Sequence, residues 1–265
     1  MVQATRGSLS VVGTGIQPIS QTPPEAIARI QQADKLFFLA PEPLTFYWLQ
    51  QLNPRAQSVH DLYGPGKDRL NTYQEMVERV MGSVRAGFNV CFVSYGHPGV
   101  FGFPMHEALR VARSEGFSAE MIPAISAEDC LFADLGVDPG AAGCQSFEAT
   151  DFLVHRRRFD PTSALILWQI GMIAVKDYEQ KLEIWNPAGL QLLLEFLIPH
   201  YSEDHEAVVY QAAPYAWCKP RILRATLATV PSTTIMAMST LFIPPKEPRP
   251  MDQELLNRLR QTVSA

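Results

Sequence analysis

Several stretches carry side chains able to do chemistry. In Ser94-Tyr95-Gly96-His97-Pro98-Gly99-Val100-Phe101 a phenol and an imidazole alternate along a turn. Its glycines let a ligand approach the backbone and its proline stiffens it, with Val100 and Phe101 as an apolar floor. Arg69 and Tyr73 are four residues apart, so on a common helical turn they share a face. A guanidinium within a few ångström lowers a phenol's pKa from a reference near ~10, and it can also hydrogen-bond an oxygen on which negative charge builds. The same spacing suits an ordinary surface pair at a helix start. Tyr63 lies upstream on a glycine-rich loop, placed for substrate positioning or a proton relay. Gly13-Thr14-Gly15 is a glycine turn of the kind that faces nucleotide-like ligands, without the full G-x-G-x-x-G fingerprint. His200 and His205 bracket Glu203-Asp204, which reads as a solvated loop more simply than as a metal site. His155-Arg156-Arg157-Arg158 reads as a solvated basic turn, and Trp217 as packing or a dimer contact.

The elements that must hold these groups follow from local pattern. Residues 8–12, 35–39, 88–93 and 118–123 are short β-favouring apolar runs. Helices are expected over residues 22–33, with Thr22 as N-cap and prolines in the first turn, and over 72–84 and 105–113. Ser126 is the expected N-cap of a further helix, and 46–49 belong to a short one. The order β-α-β-α-β-α-β is that of an open, mostly parallel sheet. Past Gly136 residues 138–143 read as a linker loop, followed by strands at 164–169, 207–211, 234–239 and 241–245 and a helix at 190–197. The expectation is two α/β domains, 1–122 and 123–245, then a linker and short helix over 246–265. In that helix Asp252 caps and Leu255, Leu256 and Leu259 form one apolar stripe.

Bulk properties narrow the class. A chain of 265 residues with 47% hydrophobic and 18% charged residues can bury real cores. A net charge of −5 argues against a nucleic-acid binder that works by neutralising phosphates. No run approaches the ~18–20 apolar residues of a membrane span. The four cysteines, Cys91, Cys130, Cys144 and Cys218, make no C-x-x-C pair, so neither zinc nor a disulfide framework is indicated. With no signal-peptide pattern at residues 1–7, the expectation is a reduced, cytoplasmic chain that binds no metal.

Two βα turns together, Tyr95-Gly96-His97-Pro98-Gly99-Val100-Phe101 and Pro123-Ala124-Ile125-Ser126-Ala127-Glu128-Asp129-Cys130, resemble the tetrapyrrole-methylase superfamily. Its members are two-domain α/β methyltransferases that hold S-adenosylmethionine in a cleft between the domains. The commoner first turn there has an acid before the proline. His97 in that place is similar to the borosin peptide α-N-methyltransferases, which methylate backbone amide nitrogens. The similarity runs from residue 13 to 245, through Asp68-Arg69-Leu70-Asn71-Thr72-Tyr73, Ser146-Phe147-Glu148-Ala149, Trp168-Gln169 and Ser239-Thr240-Leu241-Phe242-Ile243-Pro244-Pro245.

The resemblance implies a donor pocket drawn from Tyr95, His97, Val100, Phe101, Ser126, Ala127, Gln169, Ala212, Ser239 and Thr240. It implies Arg69 and Tyr73 as catalytic residues, with Tyr95 beside them and Tyr63 as a fourth candidate. The best-known borosin enzymes carry their substrate as a C-terminal extension. Here residues 246–265 are charged and helix-like, so the expected substrate is a separate precursor peptide, docked on a homodimer as a heterotetramer. Two alternatives stay open. A tetrapyrrole C-methyltransferase would need an arginine-lined cleft, and a non-catalytic S-adenosylmethionine-binding module would need only the pocket.

Overall fold

The computed structural model describes residues 7–40, 43–64, 66–175, 183 and 186–263. Most of the N-terminal stretch read for a targeting signal, and Pro65 of the Tyr63 loop, lie outside the described residues. The chain forms two compact units that interleave along the sequence. The first comprises Met1–Val137, Ala174–Trp185 and Tyr210–Ile222; the second comprises Asp138–Ile173, Asn186–Val209 and Leu223–Ala265. No described helix is long and apolar enough to cross a membrane.

The first unit is built on strands β1 (Ser8–Gly13), β2 (Lys35–Leu39), β3 (Ala56–Ser58), β4 (Asn89–Ser94) and β5 (Ser118–Ile122). Their order is β3-β2-β4-β1-β5 and the pairs are parallel. Helices α1 (Pro24–Gln32), α2 (Pro43–Leu52), α3 (Arg69–Arg85), α4 (Phe103–Ser114) and α5 (Ala127–Leu135) complete it. β4 reads as a continuous apolar run because both of its faces are covered. Val90 and Phe92 point into one core with Met76, Val80 and Met81 of α3 and Met105 and Ala108 of α4. Cys91 and Val93 point the other way, onto Ala26 and Ile30 of α1 and Leu49 of α2. Full burial of a side chain such as Phe92 stabilises the unit by about 1.5–3 kcal/mol.

The second unit carries α6 (Pro139–Ala142), β6 (Cys144–Glu148), α7 (Ala149–Val154), β7 (Ala164–Trp168) and α8 (Pro187–Leu197). It continues through β8 (Glu206–Gln211), β9 (Arg221–Thr226), β10 (Thr240–Ile243) and α9 (Gln253–Val263), although the ends of β8 and β9 fall in the first unit. Its strand order is β6-β7-β10-β8-β9, with β6 parallel and β10 antiparallel to β7. Phe152 is its aromatic centre, with Phe147, Phe159 and Phe196 rings 5.4–5.5 Å away.

Several local expectations are corrected. α3 begins at Arg69, because the Asp68 carboxylate accepts from Leu70 N at 2.7 Å and Asn71 N at 3.4 Å and so caps the helix. Thr22 is not the cap of α1; its hydroxyl donates to Thr14 O at 2.9 Å. α1 starts instead at Pro24, behind Pro23, where a missing N–H costs nothing. Residues 138–143 contain a short helix, because Asp138 accepts from Gly140 N at 2.8 Å. Residues 234–239 are not a strand. Ser239 N donates to Met236 O at 3.0 Å and closes a turn, so the strand starts only at Thr240.

Candidate active site

In the first unit the loops after β1, β4 and β5 leave the sheet at its carboxyl edge, where parallel α/β sheets bind ligands. Gly15 N donates to Gly96 O at 3.2 Å and Gly96 N to Gly15 O at 3.0 Å, a bridge that joins the first two loops. Gly96 sits at φ 71°, the left-handed region that glycine enters freely. A Cβ on Gly13 would stand 2.2 Å from Gly96 O, 2.7 Å from Pro98 Cδ and 2.8 Å from Ala124 Cβ. Three chain segments therefore meet here with no room for another carbon.

The turn then fixes its own side chains. Gly99 N donates to His97 Nδ1 at 2.9 Å, so in the neutral ring Nε2 carries the hydrogen as a donor. Val100 N donates to His97 O at 3.1 Å, and Phe101 follows at φ 52°. Val100, Phe101 and Phe103 are exposed, and so are Ile19 after β1 and Ile125 after β5. The carboxyl edge is thus rimmed by apolar side chains.

α3 runs antiparallel to the strands it connects, which places its first turns at this same edge. Arg69 and Tyr73 lie on them one turn apart. Arg69 Nη2 donates to Val175 O at 2.7 Å, which takes one of its five N–H donors. The Tyr73 ring stacks on Phe103 with centroids 5.8 Å apart, and Tyr63 meets it edge-on at 6.4 Å. Tyr63 in turn packs on His60 at 5.1 Å. Tyr95 stands half-buried after β4, its N–H donating to Leu39 O at 3.3 Å.

Ser126 caps α5 in a reciprocal box with Asp129: Asp129 N donates to Ser126 Oγ at 3.2 Å and Ser126 N to Asp129 Oδ2 at 2.7 Å. Ala127 opens that helix, half-buried. At its far end Asp134 accepts from Tyr210 Oη at 2.7 Å. Burial first, then this bond and the neighbouring Asp134, Cys130 and Tyr95, hold the Tyr210 hydroxyl well above the ordinary tyrosine range. Burial likewise raises the Cys130 thiol, which does not suit it as a nucleophile. Ala212 follows Gln211, whose buried Oε1 has no hydrogen-bond partner.

The second unit holds Gln169, Ser239 and Thr240. Gln169 sits at φ 60° immediately after β7. Ile170 N donates to Ser239 O at 2.9 Å and Met236 N to Ser239 Oγ at 2.9 Å, tying the two turns together. Thr240, 4% exposed, opens β10.

Of the residues expected from sequence, Tyr63, Arg69 and Tyr73 gather around one helix start, and Tyr95, His97, Val100 and Phe101 share one turn. Phe103, Tyr210, Asp134 and Ser94 were not singled out. Tyr210 read as a strand residue. No group of three or more potential metal ligands occurs among the described residues.

An all-parallel α/β sheet with a glycine-bridged carboxyl edge is a ligand-binding architecture. The chain belongs to the tetrapyrrole (corrin/porphyrin) methylases, whose family profile matches residues 8–231. Among solved structures it resembles a cobalt precorrin-4 methyltransferase of cobalamin biosynthesis, with TM-score 0.64, 15% identity, 92% of this chain and 97% of that one. It also resembles a uroporphyrin-III-C-methyltransferase from Thermus thermophilus, with TM-score 0.63, 17% identity, 90% of this chain and 92% of that one. These likenesses establish the fold.

In sequence it is 40% identical over 261 residues to a methyltransferase/ribosomally synthesized cyclic peptide gymnopeptides precursor of Gymnopus fusipes, covering 97% of this chain. It is 38% identical over 261 residues to the omphalotin A precursor methyltransferase of Omphalotus olearius, again over 97% of this chain. A type III borosin cyclic peptide precursor methyltransferase of Anomoporia bombycina is 38% identical over 257 residues and 96% of this chain. The chain spans 62% of the length of the first two relatives and 30% of the third.

Proposed function

We propose that the chain is an S-adenosylmethionine-dependent methyltransferase acting on backbone amide nitrogens of a peptide carried on a separate chain. The observation that carries this reading is Arg69 and Tyr73 on one helix face, set in the apolar rim of Phe103, Val100 and Phe101. A polycarboxylate macrocycle would need several arginines there. Among the described residues that face offers Arg69, already partly engaged by Val175 O. The names of the relatives, peptide precursors joined to methyltransferases, support the same substrate class.

The donor fits the residues present. Its adenine and ribose need an apolar slot with a few polar partners. His97 Nε2 offers a donor, and Gln211 Oε1 offers a buried acceptor that is unspent. The residues that would hold it are Tyr95, His97, Val100, Phe101, Ser126, Ala127 and Ala212 of the first unit; Gln169, Ser239 and Thr240 are the second unit's own candidates. When bound it supplies an electrophilic methyl group on a sulfonium.

An amide nitrogen is a poor nucleophile because its lone pair is delocalised into the carbonyl. Its proton must leave as the new N–C bond forms. Tyr73 Oη, acting as the phenolate, would take that proton and end as the neutral phenol, and the remaining Arg69 N–H donors would stabilise the charge that builds on the amide oxygen. Phe103 and Tyr63 fix the Tyr73 ring from its face and its edge. Tyr95 stands as a further phenol in the site.

Leu255, Leu259 and Val263 are exposed along α9 and suit a second protein surface, in keeping with a homodimer that binds the peptide-bearing chain as a heterotetramer. Light scattering that finds only monomer counts against that assembly.

The test is transfer of a labelled methyl group to synthetic apolar peptides and, in parallel, to a porphyrinogen. Transfer to peptide nitrogen, mapped by mass spectrometry, is the expected result; transfer to the macrocycle alone, or to neither, overturns it. Tyr73→Phe removes the proton acceptor and lowers transfer by roughly 10²-fold or more while donor binding persists. Full activity in that variant removes Tyr73 from the mechanism.

A further inference from the structure

Ser94 ends β4, the middle strand of the first unit's sheet, and is 8% exposed. Its Oγ is buried and has no hydrogen-bond partner. The other hydroxyls near this strand and its neighbours are spent. Ser8 Oγ donates to Asn89 Oδ1 at 2.9 Å, Ser10 Oγ to Glu120 Oε1 at 3.1 Å, Thr14 Oγ1 to Gly15 O at 3.1 Å and Thr22 Oγ1 to Thr14 O at 2.9 Å. The backbone of Ser94 is also spent, its carbonyl accepting from Thr14 N at 3.0 Å.

Strand alternation sets the direction of the side chain. Val90 and Phe92 face the core beneath α3 and α4, so Ser94 faces the same side two residues further along. Tyr63, Tyr73 and Leu39 pack against that core. The register partners of Ser94 are Gly13 on β1 and Leu39 on β2, and neither brings a polar side chain. The polar side-chain groups packed against that core include the Tyr63 and Tyr73 phenols, and neither is bonded to Ser94 Oγ. A hydroxyl with an unused donor and unused acceptors thus lies at the ligand-binding end of the middle strand, on the side of the sheet that carries Tyr73.

We propose that the Ser94 hydroxyl is a further substrate-contacting group of this site, donating a hydrogen bond to the carbonyl oxygen of the peptide unit being methylated. This rests on the peptide-methylating reading of the site. It gives that oxygen a second donor beside Arg69, from the sheet and not from the helix, and so orients the plane of the amide.

The test compares wild type, Ser94→Ala and Ser94→Cys for methyl transfer, donor affinity by calorimetry, and the melting temperature of the ligand-free protein. Expected for Ser94→Ala is a fall in kcat of roughly 10²-fold, the scale of losing one oxyanion donor. Donor affinity stays within about twofold, because the ground-state donor contact is untouched. Its melting temperature is unchanged or higher, since no existing bond is lost. Ser94→Cys, similar in size with a weak donor, falls nearly as far. Wild-type kcat in either variant, a loss confined to donor affinity, or a kcat loss accompanied by a lower melting temperature overturns the role of Ser94. A wild-type chain that transfers no methyl to peptide overturns the reading of the site itself, and this inference with it.

Discussion

After β4 the chain turns through Gly96 at φ 71°, and after β7 it turns through Gln169 at φ 60°. The first turn uses the residue that enters the left-handed region freely; the second forces a side chain into it, at about 1–2 kcal/mol. Their serines differ in the opposite sense. Ser239 Oγ, beside the strained turn, accepts from Met236 N at 2.9 Å, whereas the Ser94 hydroxyl, beside Gly96, has no hydrogen-bond partner. One region spends its polar groups to hold a strained backbone in place. The other needs no such help at Gly96, although Phe101 further along its turn also stands at positive φ, and it keeps a polar group in reserve. Strain held by saturated bonds and a buried group left unbonded are two ways of preparing for a ligand.

The widest test of this comparison is its shared feature, close backbone approach at a glycine. A Cβ on Gly13 would meet Gly96 O at 2.2 Å, and one on Gly171 would meet Met236 O at 2.2 Å. Backbone carbonyls cannot swing aside as a side-chain tip can. Gly13→Ala and Gly171→Ala should each destabilise the protein by about 3 kcal/mol, the upper end for overpacking. Urea denaturation measures this, and a neutral result at either position removes the close approach there.

The serines come next. Ser239→Ala leaves the Met236 N–H without its partner in a site where Ser239 is 0% exposed. A buried donor left unpaired costs about 1–3 kcal/mol. The same change at Ser94 breaks no existing bond and should cost nothing in the ligand-free protein. Equal losses at both positions erase the distinction between a spent and a reserved hydroxyl.

Much of this was legible in the sequence, and what was not has a physical reason. The apolar run of β4, the glycine turn after it and the Ser126 cap announce themselves through residues within three or four positions of one another. The reciprocal Asp129 bond is as local as a cap can be. β6 and β9 left no such trace, because they are half-exposed and carry no apolar run. The start of α3 was expected at Thr72. Asp68 prevails because its carboxylate reaches two helix N–H groups, while Thr72 is buried with its hydroxyl turned back to Asp68 O at 3.3 Å. Phe103 reads as packing until it is seen against Tyr73. Ser94 reads as the ordinary end of a strand, because having no partner is a property of three-dimensional surroundings.

The finest test exchanges the two turns' conformational choices. Gly96→Ala places a Cβ 3.3 Å from Ile16 Cδ1, a flexible methyl, so steric conflict is minor and the left-handed backbone dominates. The expected loss is about 1–2 kcal/mol. Gln169→Gly relieves the same penalty but frees the unfolded chain, which returns about 0.5–1 kcal/mol of it, so the net change is a small gain of about 1 kcal/mol or less. Opposite signs in matched denaturation curves are therefore expected, with the Gln169 variant the more stable and weaker in donor affinity by calorimetry. If both variants lose stability, the Gln169 side chain itself holds the second unit's turn. The left-handed backbone there would then be the by-product of a packing contact, not a strain maintained for a ligand.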